Sequence, residues 1–225
     1  MQKSMTPSRS EEKPRGRGRP RAFDREAALA EATRLFWTKG YEATSIADLT
    51  EAMKIGSPSL YAAFGSKEAL YAEALDYYRR HYDALVWTNF TSADTAREAV
   101  RALLMDSAAA LTGAVVEVPC GGCMVTLSTV GSEGHAELGE LVHSARSASI
   151  GRVKVRLERA VAEGEIPGTT DIHALTRYIQ TVQNGMSLLA RDGVSCGELR
   201  KVAEVAMLSW DAYMGSPAEP VPELT

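Results

Sequence analysis

The 225-residue chain has only three cysteines, Cys120, Cys123 and Cys196. Three thiols do not make a disulfide framework, so the fold must stand on its own core, and a reducing compartment is expected. No run of 18 apolar residues exists, which argues against a membrane-spanning helix. The N-terminus carries no apolar signal-peptide core, so the cytoplasm is the expected location. Alternating β-branched stretches are scarce, which argues against a sheet. Enzyme signatures are missing too. There is no G-x-S-x-G, no phosphate-binding P-loop and no G-x-G-x-x-G, so neither a cofactor nor a catalytic apparatus is expected. No internal repeat of 20–50 residues is seen.

What remains is a helical sequence. Apolar residues make up 45% and charged residues 24%, as in ordinary globular proteins. The net charge of −4 hides an asymmetry. Residues 1–22 hold seven basic side chains (Lys3, Arg9, Lys13, Arg15, Arg17, Arg19 and Arg21) against Glu11 and Glu12. That segment is +5, which leaves −9 for the rest. A basic arm on an acidic body points to a polyanionic partner, although a merely solubilising tail has the same composition.

From Asp24 onward the period is that of α-helices. The first is expected over about 24–39, with Ala28, Leu29, Ala32, Leu35 and Phe36 on its apolar face and Gly40 as the stop. Ser45, with Asp48 three residues on, forms a capping box for a short helix ending near Lys54. Pro58 suits the first turn of the next helix, which carries Leu60, Tyr61 and Phe64. Ser66 caps a longer one, expected to reach about Leu85. Further helices are expected over about 95–111, briefly after Cys123, and over 133–163, 171–191 and 195–213. The Pro-rich tail, 215–225, is expected to stay outside the fold.

Two short helices joined by a tight turn and set on a longer first helix have the helix-turn-helix arrangement. An α-helix fits the major groove of B-DNA, and residues at its N-terminal end reach the base edges. Ser57, Pro58 and Ser59 hold that end and are small. Tyr61, one turn on, can reach the DNA backbone, and Lys67 can neutralise a phosphate. Spacing alone leaves an ordinary helical hairpin open.

The stretch from Phe23 to Leu75 strongly resembles the DNA-binding domain of TetR-family regulators. Its landmarks are Leu35-Phe36, "KGYEATSIADL" at 39–49, "SLYAAF" at 59–64 and "SKEAL" at 66–70. The resemblance implies that Ser45, Tyr61 and Lys67 touch phosphate and that Ser57, Pro58 and Ser59 face the major groove. It also implies an all-α protein of about nine helices, a three-helix DNA-binding domain followed by a ligand-binding and dimerisation domain. The partners it implies are an operator in double-stranded DNA, a small-molecule effector and a second copy of the chain. The expected division is a basic arm (1–22), a DNA-binding domain (23–70), a ligand-binding and dimerisation domain (71–214) and a tail (215–225).

The chain departs from the family pattern in three places. Thr50 stands where a small Ala is usual, and Lys54 where Gly is usual. Ala62 and Ala63 replace larger polar residues. A non-Gly residue in a left-handed turn costs roughly 1–2 kcal/mol, so either Lys54 bears that cost or Gly56 takes part of the bend. Before the domain, "PRGRGRPR" at 14–21 resembles an AT-hook. Arg17, Arg19 and Arg21 would then follow the negative potential of an A·T-rich minor groove.

The second half is less specific. Trp87, Phe90, Met105, Met124, His143, Tyr178 and Gln183 are the candidate effector contacts, and each is more simply explained as plain core or surface, since a Met or aromatic at helical spacing needs no ligand. The dimer face is expected on the last two long helices. Its candidate residues are Leu175, Ile179, Val182, Gly185, Met186 and Leu189, then Val202, Val205, Ala206 and Leu208. The C-x-x-C at Cys120–Cys123 leaves three readings open: packing, thiol or oxidant sensing, and metal binding. For zinc, no second C-x-x-C or H-x-x-x-H supplies the remaining ligands. A DNA-coating architectural protein without an effector is the other alternative.

Overall fold

The computed structural model describes residues 24–117 and 119–215. Among them the regular structure is nine α-helices and no strand. Arg17, Arg19 and Arg21 lie outside the described residues. Among the described residues no helix is long and apolar enough to cross a membrane.

The first four helices carry the N-terminal core. Helix α1 (Arg25–Lys39) starts at Asp24, whose carboxylate accepts from the Glu26 and Ala27 amides at 3.0 and 3.1 Å. Helix α2 (Ile46–Met53) starts at the Ser45–Asp48 capping box, and α3 (Ser57–Phe64) has Pro58 in its first turn. Helix α4 (Lys67–Ser92) starts at Ser66, which accepts from the Ala69 amide. It runs seven residues past the expected end. Leu29, Phe36, Leu49, Leu60, Phe64, Leu70 and Tyr71 interlock in one core. The same core takes in Met124, Val130, Leu138 and Val142 from the second half of the chain.

The second core is built around α5 (Ala96–Leu111), which packs against α4, α7 (Ala136–Ala162), α8 (Ile172–Arg191) and α9 (Cys196–Gly215). Its centre holds Val100, Leu103, Leu104, Leu157, Ile179, Met186 and Leu199, all buried. Burying each such side chain stabilises the fold by roughly 1.5–3 kcal/mol before conformational entropy is counted. Helix α4 belongs to both cores, with Tyr71 and Leu75 in the first and Trp87 and Phe90 in the second. One continuous helix therefore joins them.

The short helix α6 (Met124–Leu127) follows the Cys-Gly-Gly-Cys loop. Gly121 in that loop lies directly on the end of α8, where a Cβ would come within 2.0 Å of the Ala190 carbonyl oxygen. Helix α7 begins at Ala136 rather than near Glu133. Residues 131–134 form a turn with Gly134 at φ +97°, which cannot continue a right-handed helix. Residues expected on the dimer face divide between two environments. Leu175, Ile179, Met186 and Ala206 are buried in the chain's own core and are unavailable to a partner. Leu189, Val202, Val205 and Leu208 are exposed, Val205 to 62% and Leu208 to 68%, and Leu188, which was not among those expected, is exposed beside them.

Candidate nucleic-acid interface

Helix α3 presents its N-terminal end outward. Ser57, Pro58, Ser59 and Tyr61 are exposed, whereas Leu60 and Phe64 on the opposite face are fully buried. Gly56 stands at the N-cap and supplies no side-chain bond to the first turn. The Ser59 and Leu60 amides are closed onto the Gly56 carbonyl at 2.9 and 3.0 Å. Pro58 has no N–H, so the amide left for an outside acceptor at this end is that of Ser57. The Tyr61 side chain is 47% exposed, and its hydroxyl has no partner among the described residues.

The turn before α3 is set by Lys54, which adopts the left-handed conformation at φ 56° and ψ 39°. Gly56 is extended, at φ −80°. Lys54 therefore carries the bend itself, and the glycine does not relieve it. The Lys54 and Ile55 amides bond back to the Glu51 and Thr50 carbonyls at 3.2 and 3.1 Å, closing α2. These two bonds offset the backbone strain. The Thr50 hydroxyl is turned back onto the Ala47 carbonyl of its own helix at 3.0 Å.

Ser45 and Lys67 sit at the two flanks, and both already have partners. The Ser45 hydroxyl accepts from the Asp48 amide at 3.1 Å and donates to Asp48 Oδ2 at 2.9 Å. A phosphate bond from this hydroxyl must displace the carboxylate, while the exposed position of Ser45 allows the approach. The Ser45 amide, the Lys39 ammonium at 2.9 Å and the Ser45 hydroxyl hold the Asp48 carboxyl down at about 2. The Lys67 ammonium lies 4.2 Å from the centre of the Tyr41 ring. Its contact with the ring face leaves N–H groups free on the other side. Tyr41 is anchored in turn by a 2.9 Å hydrogen bond from its hydroxyl to Glu68. Burial first, then Glu68, pushes that hydroxyl far above its usual range.

Arg25, which the sequence reading passed over, braces the far end of α3. Its guanidinium lies 4.4 Å over the Phe64 ring, donates to the Ala63 carbonyl at 3.2 Å and pairs with Glu73 at 2.8 Å. It thereby ties α1, α3 and α4 into one unit. Arg25 and Glu73 are 48 positions apart, so no local spacing pairs them.

A family model described as bacterial regulatory proteins, tetR family, matches residues 28–74. The HTH-type transcriptional repressor ComR of Escherichia coli is 33% identical over 87% of this chain and 93% of its own length. The chain belongs to the TetR family. The repressor BdcR of the same organism is 30% identical over 84% of this chain and 90% of its own. Among solved structures, the TetR family regulator CifR, as a cysteine mutant complexed with a 26 bp double-strand operator DNA, is 40% identical. It covers 85% of this chain and all of its own, with a TM-score of 0.78. The TetR-family chain is accordingly a DNA-binding transcriptional regulator with a helix-turn-helix in α2 and α3.

In the second half, a cavity of about 110 Å³ lies among α1, α4, α5, α7 and α8. Trp87 and Gln183 line it, and Gln183 donates to the Ser107 hydroxyl at 2.9 Å. The other candidate effector contacts lie elsewhere. Phe90 is buried in the second core, Met105 packs on that core's edge, and Met124 is buried in the first core. His143 is exposed on α7. Tyr178 lies with Ser209, Trp210 and Tyr213 in a separate shallow pocket of α8 and α9. Trp37, Tyr78, Tyr82 and Cys123 also line the cavity and were not among the candidates. Trp37 and Tyr78 have the spacing of core residues, so periodicity could not separate wall from filling. Among the described residues no three His, Cys, Asp or Glu gather as metal ligands.

Proposed function

We propose that this regulator is a homodimeric repressor, acting in the cytoplasm, that a small molecule in the α4–α8 cavity releases from a palindromic operator. Residues 23–70 bind DNA, with 1–22 as an arm along the groove. Residues 71–214 hold the effector and the dimer face, and 215–225 form a tail. The observation that carries the reading is the outward edge of α3, where Ser57, Pro58, Ser59 and Tyr61 are exposed above the buried Leu60 and Phe64.

On this reading Ser57, Pro58 and Ser59 meet base edges, and Ser45, Tyr61 and Lys67 hold the flanking phosphates. Arg17, Arg19 and Arg21 enter the adjacent minor groove. The exposed stripe of Leu188, Leu189, Val202, Val205 and Leu208 is the surface a second copy covers, because a monomer rarely leaves so continuous an apolar face to water. Two-fold symmetry then sets two α3 helices about 34 Å apart, one helical turn of DNA.

The test is selection of a binding site from random DNA, followed by footprinting and titration. A palindromic footprint is expected. Tyr61→Phe should weaken every sequence alike, and Lys67→Ala should do the same while lowering the salt slope by about one. Ser57→Ala or Ser59→Ala should change which sequence is preferred. Uniform coating of DNA without a preferred site would overturn the repressor reading in favour of an architectural protein.

A further inference from the structure

The helix-turn-helix unit has to hold a polyanion, yet its own charge is unfavourable. Residues 24–70 carry five cations (Arg25, Arg34, Lys39, Lys54 and Lys67) against seven carboxylates. Each cation left free to meet a phosphate therefore matters to affinity.

Three of the five are already held by carboxylates. Arg25 pairs with Glu73 at 2.8 Å, Arg34 with Glu31 at 3.3 Å and Lys39 with Asp48 at 2.9 Å. Lys67 lies against the Tyr41 ring. Lys54 alone meets neither a carboxylate nor a ring among the described residues. It is exposed, while its neighbours turn inward: Met53 is buried and Ile55 packs against the N-terminal core.

Lys54 is also the one non-glycine residue with a positive φ among the described residues. Glycine takes this conformation without strain, so the backbone gives no reason for a long cationic side chain here. The bonds that close α2 give none either. They run from the Lys54 and Ile55 amides to Glu51 and Thr50, and a glycine would supply the same amide. A residue kept in a costly conformation points to a use for its side chain.

Its position supplies that use. Lys54 stands three residues before Ser57, the first residue of α3, so their Cα atoms are at most about 11 Å apart. The major groove is about 12 Å wide and is walled by phosphates on both sides. A cation at that reach from the tip of a groove-seated helix falls on the wall of the groove rather than on its floor. Resting on the reading of α3 as the helix that enters the groove, we propose that Lys54 is a phosphate-binding residue of the DNA interface, and that the left-handed turn stays strained in order to present its ammonium there. Lys54 then adds affinity for every sequence and reads no base. With Lys67 it brackets α3, one cation before the helix and one after it.

The test measures binding of the full chain to a duplex site selected by the unaltered protein, over about 50 to 200 mM salt, beside thermal unfolding of the free protein. Lys54→Gln removes the charge and keeps the Cβ. It should weaken binding about tenfold at the lowest salt and leave the melting temperature where it is. It should also lower the salt slope by about one, so that the deficit narrows about threefold across the range. Lys54→Gly should lower the slope equally and yet raise the melting temperature by about 2–4 °C, because the strain is relieved. Lys54→Arg should keep the slope. Unchanged affinity in Lys54→Gln, or weaker binding with the parent's slope, would overturn the phosphate contact, the latter by assigning Lys54 a structural part in the turn. A lower melting temperature in Lys54→Gly would overturn the strained turn. Lys67→Ala separates this proposal from the reading it rests on. If Lys67→Ala lowers the slope and Lys54→Gln does not, Lys54 alone is misassigned; if neither does, the seating of α3 in the groove fails.

Discussion

Substituting Gly121 by alanine strikes the contact between the Cys-Gly-Gly-Cys loop and α8 at a point where its geometry allows little relief. The new Cβ would meet the Ala190 carbonyl oxygen at 2.0 Å and its carbon at 2.6 Å. Both are backbone atoms inside α8, so no side chain can swing away. The loop must therefore retreat by more than 1 Å to reach ordinary contact, near 3.4 Å. That retreat breaks the 2.7 Å bond from Arg191 to the Gly121 carbonyl and strains the 2.8 Å bond from the Cys123 amide to Ser187. A bond from a charged donor contributes roughly 1.5–3 kcal/mol and a neutral one about 1. Overpacking adds a further 1–3 kcal/mol. Partial relaxation keeps the terms from adding fully, so the expected loss is about 3 kcal/mol. Urea unfolding at fixed protein concentration measures it, with the midpoint moving and the slope unchanged. A loss below about 0.5 kcal/mol would show that the loop does not rest on α8 as described.

Other substitutions probe the remaining parts. Gly151 lies within α7 with nothing within 4 Å of a built Cβ. Gly151→Ala should therefore stabilise the protein by roughly 0.5–1 kcal/mol through helix propensity alone, read in the same urea experiment. Leu208, 68% exposed on α9, should tolerate Glu without loss of helix content. On the proposed dimer, Leu208→Glu should nevertheless give a monomer by light scattering at micromolar concentrations where the parent is expected to scatter as a dimer. Asp48 titrates at about 2 rather than 3.8, so its contribution is full above pH 4 and is lost as the pH falls toward 2. The difference in melting temperature between the parent and Asp48→Asn should therefore be largest above pH 4 and close toward zero near pH 2.

The elements with local signals were legible. Asp24, Ser45, Ser66, Asp171 and Ser195 each start a helix, because a short polar side chain can reach amides two or three residues on. The end of α4 was not, because Leu85 to Ser92 has neither Gly nor Pro and the helix continues until Ala93 turns extended. Lys54 was legible as a problem and not as a solution, since its left-handed turn depends on bonds to Thr50 and Glu51 that composition does not weight. Ser57, Pro58, Ser59 and Tyr61 lie on a single exposed edge because one short helix sets their order. The cavity wall draws from helices far apart in sequence. Trp37 and Cys123 become neighbours only through the packing of α1 against the loop before α6, so a list made from residue type reached Trp87 and Gln183, missed Trp37, and had Cys123 only as part of the C-x-x-C and not as cavity wall.

This arrangement bears on how the two halves communicate. Helix α4 is often the natural lever to consider in such a design, since it starts beside α3 and ends at the cavity. Here its middle is clamped. Tyr78 meets Trp37 edge-on at 4.9 Å and stacks on Tyr82 at 5.0 Å, and Tyr82 meets Trp37 at 5.0 Å. Aromatic pairs of this kind are worth about 0.5–1.5 kcal/mol each beyond their burial. A tilt of α4 alone would have to disrupt the two pairs that Tyr78 and Tyr82 make with Trp37 of α1. Motion of α1 and α4 together leaves the cluster intact and acts instead on the bonds that Trp37 shares with Gly122 and Arg191, and on the packing of both cores against these helices. Those bonds are each of the order of 1–3 kcal/mol, matching the roughly 2.7 kcal/mol that a hundredfold change in DNA affinity requires. The contacts around residues 120–123, rather than a bend within α4, are therefore among those that must change if α1 and α4 move together against the body.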